Sequence, residues 1–522
     1  MPRRGGVVLA FALFCAPLIA GDQPKVKATV DVVAVTPVDG VGIDAAKYPA
    51  NVRRMKPDGS VTAALVRQGA SVAQSDAQSN PFQPDIELRG FVVSPLLGTP
   101  QGVAVLQDGV RINEPFGDTI NWDLIPENAI ESIETIPGSN AAFGLNALGG
   151  VITLRTKSGF SDRGVDARVA AGSFGRNTIE AADGFSRGGN AWFVAASADD
   201  DGGWRDFSPS RLRHLFASMQ HIRDSGTSDV RLTLGDTNLT GNGTVPVQLL
   251  ALDRRAVFTF PDSTHNRAGV LSSAHDVLVG STLIEINASV RRTSTATING
   301  DAAGDASNVF DGVLNRSTLD QTGFGFASQI SRTAGRNRWT AGISFDSGDA
   351  QFRFRQELAH VTPSREVIGA GIIDPDSLVS LGTTTRTPAA YATDFISVTP
   401  RVSILAAARV NDSRIRLHDH IGTALAGSHR FVSANPSIGA TFAVWQQLTL
   451  FANANQASRA PTPVELTCAN PADPCLLPNA FVSDPPLEQV FARTIEAGAR
   501  GQRGGVQWSV DAFRTANEND IV

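Results

Sequence analysis

The chain has 522 residues, of which 42% are hydrophobic and 18% charged, and it contains 49 glycines. This composition excludes disordered and fibrous proteins, and low charge with abundant glycine favours a long series of strands and turns over a helical soluble enzyme. The net charge of −6 and the lack of any run of Lys and Arg give no reason to expect a nucleic acid partner.

Residues 1–20 have the pattern of a secretory signal peptide. Arg3 and Arg4 precede an apolar run, residues 7–19, which is followed by small residues. The run is too short to anchor a protein in a bilayer, and a basic start before a short apolar segment is typical of a cleaved leader. A buried N-terminal helix is the weaker alternative. No later stretch reaches about 18 apolar residues, so we expect an exported chain without transmembrane helices.

Residues 21–46 form a short polar segment that contains one extended, valine-rich peptide followed by Pro37. A peptide of this kind can pair, as an added strand, with the exposed sheet edge of another protein. From the residues alone, an ordinary disordered lead-in is an equally good interpretation. The peptide consists of Val30, Asp31, Val32, Val33, Ala34, Val35 and Thr36.

Residues 47–157 have the mixed texture and the length of one small α/β domain. Segment 101–109 predicts a strand that runs into a turn at Asp108-Gly109, where glycine accommodates a positive φ. A second site, Gly149-Gly150, predicts a sharp turn and close backbone packing before the last strand of the domain.

Residues 158–522 predict a long series of strands of about ten residues each, with alternating polar and apolar positions. In segment 283–291, for example, Ile284 and Ile286 alternate with Glu285 and Asn287. Alternation of this kind fits a soluble β-sandwich and a membrane β-barrel equally well.

The connections between these strands, about fifteen in number, separate the two architectures. Tight turns at one rim and long loops at the other are typical of a transmembrane barrel, whereas a sandwich does not sort loop length by strand parity. Short turns are predicted near 186–189, 223–227, 280–281, 334–337, 399–400, 446–447 and 501–505, and long connections near 199–211, 238–266, 294–317, 356–384, 416–429 and 458–489.

Cys468 and Cys475 are the two cysteines that remain after the predicted leader. They lie in a segment rich in Pro, Asn and Asp, and an exported chain folds where disulfides can form, so a local disulfide across a loop is predicted. A metal site would need more ligands, and no histidine lies nearby. We therefore predict no metal and no cofactor.

Four motifs in residues 48–157 closely resemble the plug domain of TonB-dependent outer-membrane receptors, because they follow one another in the order and at the separations found there. Shorter matches continue in the barrel at 458–463 and 496–498. The four motifs are Asp85-Ile86-Glu87-Leu88-Arg89-Gly90-Phe91, Gln107-Asp108-Gly109-Val110-Arg111, Ile133-Glu134-Thr135-Ile136-Pro137-Gly138 and Phe143-Gly144-Leu145-Asn146-Ala147-Leu148-Gly149-Gly150-Val151-Ile152.

The resemblance implies a transmembrane antiparallel β-barrel of about twenty-two strands, of which about fifteen are present, with an N-terminal α/β plug in its lumen. It implies no enzymatic activity but active uptake of a scarce nutrient across the Gram-negative outer membrane. Energy would come from TonB and its inner-membrane complex, which in this family grips an N-terminal box, and Val30–Thr36 stands in the place of that box. The other expected partners are membrane lipid, lipopolysaccharide and a ferric siderophore or similar metal chelate.

The resemblance also implies roles for plug residues. The loop after the Asp108-Gly109 turn faces the incoming ligand in the family, while a structural loop packed on the barrel wall is the open alternative. That ligand-facing set is Asn113, Glu114, Phe116, Asp118, Thr119, Asn121 and Trp122. A structural set, in which charged members pair with the inner wall, is Arg89, Gly90, Asp108, Gly109, Glu134, Gly149 and Gly150.

The end of the sequence departs from the family pattern. Residues 512–514 predict a strand that heads outward, and a terminal aromatic residue of the family type is absent. Open sheet edges are not tolerated in lipid. The sequence therefore predicts a fragment that lacks about seven further strands of the family barrel.

The alternative functions are a passive porin, a receptor for cobalamin or a glycan, and an outer-membrane hydrolase. A passive porin would lack a folded plug, and receptors for cobalamin or a glycan are not separated from siderophore receptors by any residue. The match Gly184-Phe185-Ser186-Arg187-Gly188 would suit a hydrolase, but a nucleophile elbow needs a helix after the serine, and another strand is predicted here.

Overall fold

A computed structural model describes residues 60–67, 71–76, 78–139, 143–303, 309–468, 487–503 and 506–520, together with three short strands before Ser60. The predicted signal peptide lies outside the described residues. The same holds for Cys475 of the predicted disulfide and for most of the valine-rich peptide, namely Val30, Asp31, Ala34, Val35 and Thr36.

The N-terminal unit is built from short strands and one helix. A five-stranded sheet has the order β3-β9-β10-β7-β8, beside a three-stranded sheet β4-β5-β6 and a two-stranded pair β1-β2. The elements are β1 Val32–Val33, β2 Ile43–Asp44, β3 Asn51–Arg54, α1 Val61–Val66, β4 Val72–Ser75, β5 Asp85–Leu88, β6 Phe91–Val93, β7 Val103–Gln107, β8 Val110–Arg111, β9 Ile130–Pro137 and β10 Gly150–Thr156.

Strand β7, which lies between β10 and β8, explains how this unit buries a core. It pairs in parallel with β10, and its residues 103–106 are buried on both faces of the sheet. A strand that is covered on both faces has an unbroken run of apolar residues in its sequence, as Val103 to Leu106 shows. Val103 and Val105 pack with Ile86 and Ile152 on one face, so the unit has its own hydrophobic core.

The remaining chain forms one 16-stranded antiparallel sheet in which fifteen strands follow one another in sequence order and β20 pairs with β19 beside that path. Two short helices lie in the connections. The elements are β11 Gly164–Ala171, β12 Asn177–Arg187, β13 Asn190–Asp201, β14 Ser210–Arg223, β15 Gly226–Thr240, α2 Val247–Leu252, β16 Asp262–Val279, β17 Thr282–Asp301, β18 Gly312–Ala334, β19 Asn337–Val361, β20 Val367–Ile373, β21 Val379–Ser397, β22 Val402–Asp419, β23 Gly427–Trp445, β24 Leu448–Arg459, α3 Pro463–Cys468, β25 Val490–Arg503 and β26 Val506–Glu518.

Polar and apolar side chains alternate along the strands of this sheet, but the apolar ones are exposed and the polar ones are buried, which is the reverse of a soluble protein. On β17, Ile286 and Val290 are 39% and 51% exposed, whereas Glu285 and Asn287 are 1% and 5% exposed. Apolar side chains on the outside and polar ones on the inside are the pattern of a barrel in lipid. The prediction of a membrane barrel over a sandwich is therefore confirmed.

The predicted rotation of short and long connections is also present. Short connections lie at 188–189, 224–225, 280–281, 335–336, 398–401 and 446–447, and long ones separate the opposite strand ends. The seventh predicted turn includes residues 504–505, which lie outside the description.

Strand length was predicted wrongly. Strands of about ten residues were expected, yet β18 has 23 residues and β19 has 25. The long connections predicted at 294–317 and 356–384 therefore contain the ends of β17, β18, β19 and β21 and the whole of β20. The backbone ladder continues beyond the apolar band, because its hydrogen bonds do not require the alternation that marks the lipid-facing part.

The N-terminal unit lies inside the curved sheet. It hydrogen-bonds to strands spread along the wall: Asn80 Nδ2 donates to Ser210 Oγ on β14 at 3.0 Å, and Ser139 shares a hydrogen bond of 2.8 Å with Thr494 on β25. The unit is thus a plug in the lumen of the barrel. Among the described residues, no helix has both the length and the apolar character needed to cross a bilayer.

The lipid-facing side of β17 provides a test of the barrel assignment. Val290→Arg should destabilise the barrel folded in lipid vesicles by about 2–4 kcal/mol if Val290 lies near the bilayer midplane, because arginine is costly there. Ala296→Arg is the matched control, since Ala296 is exposed further along the same strand toward a long connection. Equal effects of the two substitutions on the free energy of unfolding would contradict the assignment.

Candidate functional site

A buried ion pair fastens the plug to strands β25 and β26 of the barrel wall. Arg89 Nη2 donates to Glu496 Oε1 at 2.6 Å and to Asp511 Oδ2 at 2.7 Å, and the Arg89 and Glu496 side chains are only 4% and 2% exposed. The guanidinium also lies 4.1 Å from the ring centroid of Phe513. Arg89 and Gly90 turn the chain between β5 and β6 at φ 54° and 86°, which aims the side chain at the wall.

The Asp108-Gly109 turn between β7 and β8 is held by a second polar contact. Both residues have positive φ, 48° and 80°. The Asp108 carboxylate accepts hydrogen bonds from the backbone N–H and the hydroxyl of Thr156, at 2.9 and 2.8 Å. Arg231 of the wall lies 3.4 Å from the same carboxylate. The turn therefore links the end of β10 to the barrel.

Gly149 and Gly150 allow the close approach that leads into β10. A Cβ on Gly149 would lie 2.5 Å from the Phe91 side chain, and one on Gly150 would lie 2.5 Å from the carbonyl oxygen of Ile136. Gly150 also has a φ of 145°. Glu134 on β9 is 6% exposed and accepts a long hydrogen bond of 3.5 Å from Thr153 of the neighbouring strand β10.

The predicted ligand-facing loop is largely buried against the wall. Glu114 accepts hydrogen bonds from Thr293 at 2.9 Å and from Gln321 at 3.2 Å. Phe116 stacks on Phe352 with 5.4 Å between ring centroids, and its backbone N–H donates to Gln321 at 3.0 Å. These two residues make the contacts of a structural loop, the alternative that the sequence left open.

The other loop residues are folded onto the plug itself. Asn113 accepts from the backbone N–H of Val105 at 2.8 Å, and Asp118 accepts from Arg111 and Asn146. The Thr119 carbonyl accepts from the backbone N–H of Glu114 at 2.8 Å. Trp122 is 4% exposed and packs in the plug core, while the half-buried Asn121 begins a single 3-10 turn.

Asp123 is an anchor that sequence reasoning missed. Its carboxylate accepts hydrogen bonds from Thr237 at 2.5 Å and Asn266 at 3.0 Å on the wall, and from Gln83 of the plug at 3.0 Å. Asp123 is 3% exposed. The available signal was an acidic residue inside the apolar run from Ile120 to Ile125, because a buried carboxylate needs partners.

A cavity lies between this loop and the wall, with about 1260 Å³ of empty space that includes open solvent. Of the predicted ligand-facing set, it brings together Asn113 and Asp118. Glu114, Phe116, Thr119, Asn121 and Trp122 do not line it. The charged side chains that line it are Arg111, Asp118, Arg291, Asp346, Arg409 and Arg459.

Arg459 is fixed at the cavity by a local motif. Its Nη1 donates to both carboxylate oxygens of Glu465, at 2.8 and 2.7 Å, and both side chains are buried. The backbone N–H of Thr462 donates to Glu465 at 2.7 Å, while the N–H of Glu465 donates to the Thr462 hydroxyl at 3.3 Å. This reciprocal pattern is a capping box, and it begins helix α3.

Burial changes the acidity of the plug carboxylates near the wall. Burial raises the pKa of Asp118 to about 6, although Arg111 and Arg459 favour its ionised form. Burial likewise raises the pKa of Glu114, against the nearby charge of Arg291. At Glu127 burial raises the pKa to about 7, although its carboxylate accepts the backbone N–H of Val61 at 2.9 Å.

The hydrolase alternative finds no support at its motif. Ser186 lies in β12, and the motif runs into the short turn at 188–189, after which β13 begins. The strand–turn–helix geometry of a nucleophile elbow is therefore absent at this described segment.

Comparisons with known families match both units. The family model described as "TonB dependent receptor-like, beta-barrel" matches residues 146–522, and the one described as "TonB-dependent Receptor Plug Domain" matches residues 45–151. In sequence, a "Vitamin B12 transporter BtuB" of Vibrio vulnificus strain YJ016 is 32% identical over 135 residues, which cover 24% of this chain and 22% of that protein. The match thus spans less than a quarter of the relative's length.

Solved structures share the fold. The unliganded ferric citrate transporter FecA has a TM-score of 0.71 at 15% identity, covering 89% of this chain and 69% of that one. The ferric yersiniabactin uptake receptor FyuA from Yersinia pestis has a TM-score of 0.68 at 13% identity, covering 90% and 72%. The copper transporter OprC has a TM-score of 0.67 at 12% identity, covering 90% and 71%.

We expect the ion pair between Arg89 and Glu496 to stabilise the attachment of the plug to the wall. Glu496→Gln removes one partner of a buried pair, a loss that costs about 3–5 kcal/mol, and the remaining Asp511 contact places the expected cost near the lower end. Hydrogen exchange of β5 and β6 in the folded barrel should accelerate. Asp511→Asn is the control and should have a smaller effect, because Asp511 is 29% exposed. Unchanged exchange in Glu496→Gln would refute this role.

Asp118 predicts a pH dependence of stability. Because its folded pKa of about 6 lies above the ordinary value of 3.8, the folded protein binds a proton that the unfolded chain releases between these values, and stability rises as the pH falls through this window. The Asp118→Asn variant lacks this gain. The melting temperature of the wild type minus that of the variant should therefore increase between about pH 7 and pH 5. A constant difference would contradict the burial of an ionisable Asp118.

Proposed function

The chain belongs to the family of TonB-dependent receptors, and from this premise we propose that it carries a scarce nutrient across the outer membrane with energy delivered by TonB. The observation that carries the proposal is a lumen occupied by a plug that is bound to the wall at several places by hydrogen bonds and ion pairs. Arg89 to Glu496, Asp123 to Thr237 and Glu114 to Thr293 are examples.

Polar contacts suit a plug that must stay in place at rest and yet move. A hydrogen bond between protein groups contributes only about 0.5–1.5 kcal/mol net, because water replaces the partner when the contact opens. An apolar interface of similar area would resist separation more strongly, since water gives it no substitute. A passive porin, by contrast, keeps an open aqueous lumen, and the folded plug argues against that function.

We propose Val30–Thr36 as the TonB-binding box within a periplasmic segment, residues 21–46, that precedes the plug. Support comes from the backbone of Val32–Val33, which is extended and pairs antiparallel with Ile43–Asp44. A two-residue pair is a weak attachment, and an extended valine-rich peptide can exchange it for the sheet edge of a partner. TonB would then pull on the chain that leads into the plug.

The proposed cargo is a ferric siderophore or a similar metal chelate. Similar structures are named as carriers of ferric citrate, ferric yersiniabactin and copper, which supports a metal-containing solute. The similarity to a vitamin B12 transporter keeps cobalamin as the second candidate. In this proposal the barrel is embedded in the outer membrane and contacts its lipid and lipopolysaccharide.

Energised uptake tests the proposal. A deletion strain that expresses the wild type should accumulate radioactive iron from a ferric chelate, whereas one that expresses Val33→Pro should not, because proline removes the backbone N–H needed for strand pairing. Binding of the chelate to whole cells should persist in Val33→Pro. Val33→Ala keeps the N–H and should retain uptake. Uptake that is independent of both the gene and the substitution would refute the function.

A further inference from the structure

Arginines predominate among the described charged side chains that line the cavity beside the plug loop, although two carboxylates outside the lining lie near them: Glu465 is 2.7 Å from Arg459 and Glu114 is 3.9 Å from Arg291. Arg111 reaches it from the plug, and three arginines reach it from the wall, whereas two carboxylates share the lining. The three wall arginines are Arg291, Arg409 and Arg459, and the two carboxylates are Asp118 and Asp346.

Two of these guanidinium groups are buried and retain hydrogen-bond donors without an acceptor among the described residues. Arg409 is 2% exposed; its Nε and Nη2 donate to Asn411 and Ser344, both at 2.7 Å, while Nη1 has no acceptor there. Arg459 is also 2% exposed; Nη1 is used by Glu465, and Nη2 has no acceptor within the described part of the chain. A buried donor left without an acceptor is unfavourable, and more so when it belongs to a charged group.

On strands β18, β19, β21 and β22, a cluster of apolar side chains lies between this cavity and the long connections. We name it the apolar collar; it consists of Phe116, Leu319, Phe352, Leu381, Leu417 and Val464, which pack in one buried cluster. On β19 the inward positions change from Ser344 and Asp346 to Phe352 in the direction of the long connection, and on β22 they change from Arg409 to Leu417. The basic cavity thus lies deeper in the lumen than the collar.

We propose that the cavity is an internal binding site for the carboxylate groups of an anionic solute, which the collar separates from the outer rim. This inference rests on the proposed function and deepens it: the carried solute bears carboxylates and pauses here after the collar opens. The unpaired Nη1 of Arg409 and Nη2 of Arg459 can each donate one charge-assisted hydrogen bond to a carboxylate oxygen. Burial strengthens that interaction, because little water competes for the donors.

Calorimetric titration of the full chain, folded in detergent micelles, with tricarballylate as a carboxylate probe tests the site. Arg409→Gln and Arg459→Lys should each weaken binding at least about tenfold. Arg459→Lys keeps a positive charge beside Glu465 but removes the unpaired Nη2. It therefore tests the site even if Arg409→Gln does not fold. Arg416→Gln is the matched control: it lies on the same strand as Arg409, at an exposed position, and should bind as the wild type does.

Access through the collar gives a second readout. Phe116→Ala should raise the association rate of tricarballylate in stopped-flow measurements, because it removes one side of the stack with Phe352. Equal affinity of wild type and Arg409→Gln, an affinity too low to detect in both the wild type and Phe116→Ala, or tighter binding of inorganic phosphate than of tricarballylate would overturn the proposal. These measurements use no TonB, so a negative binding result would not contradict the proposal of TonB-dependent uptake. A negative uptake result would likewise not contradict the binding site.

Discussion

One constraint governs the rest of the structure: in a membrane barrel the apolar side chains face outward, toward lipid. The lumen is therefore lined by polar groups, and these groups need hydrogen-bond partners. The wall satisfies some of them internally. Gln329 donates to Glu285 at 2.6 Å and accepts from the Tyr391 hydroxyl at 2.9 Å. Where the wall does not, the plug supplies the partner, as Asp123 does for Thr237 and Asn266. A plug with an apolar surface would leave these groups unpaired, at a cost of about 1–3 kcal/mol each.

The same constraint explains why charges inside the lumen come in fixed arrangements. The Arg459 and Glu465 pair is held by a capping box, and the Arg89 and Glu496 pair is aimed by a turn with positive φ. A buried pair contributes little to stability in total, yet removal of one partner is strongly unfavourable. The Arg89 and Glu496 pair, which joins the plug to the wall, therefore specifies where the plug lies more than how stable the protein is.

The sequence predicted the architecture because its signals are local. Alternation along β17, the parity of connection lengths and the glycine turns at Gly109 and Gly150 are each visible within a few residues. The lengths of β18 and β19 could not be predicted from the same signals, because the ladder continues where the lipid-facing alternation ends. The ligand-facing loop shows the second limit. Nothing in its own residues reveals that Phe116 meets Phe352, a partner more than two hundred positions away in the chain.

The order of layers in the lumen ties the motion of the plug to access. A solute that arrives from the long connections meets the apolar collar before the arginines. Phe116 belongs to the plug; its own backbone N–H donates to Gln321, and the nearby Glu114 accepts a hydrogen bond from Thr293. Any displacement of this loop therefore breaks the collar and the polar contacts together. An anionic solute makes no favourable interaction with apolar side chains, but it interacts strongly with buried guanidinium groups. Such a solute would therefore be admitted to the cavity at the step that opens the collar.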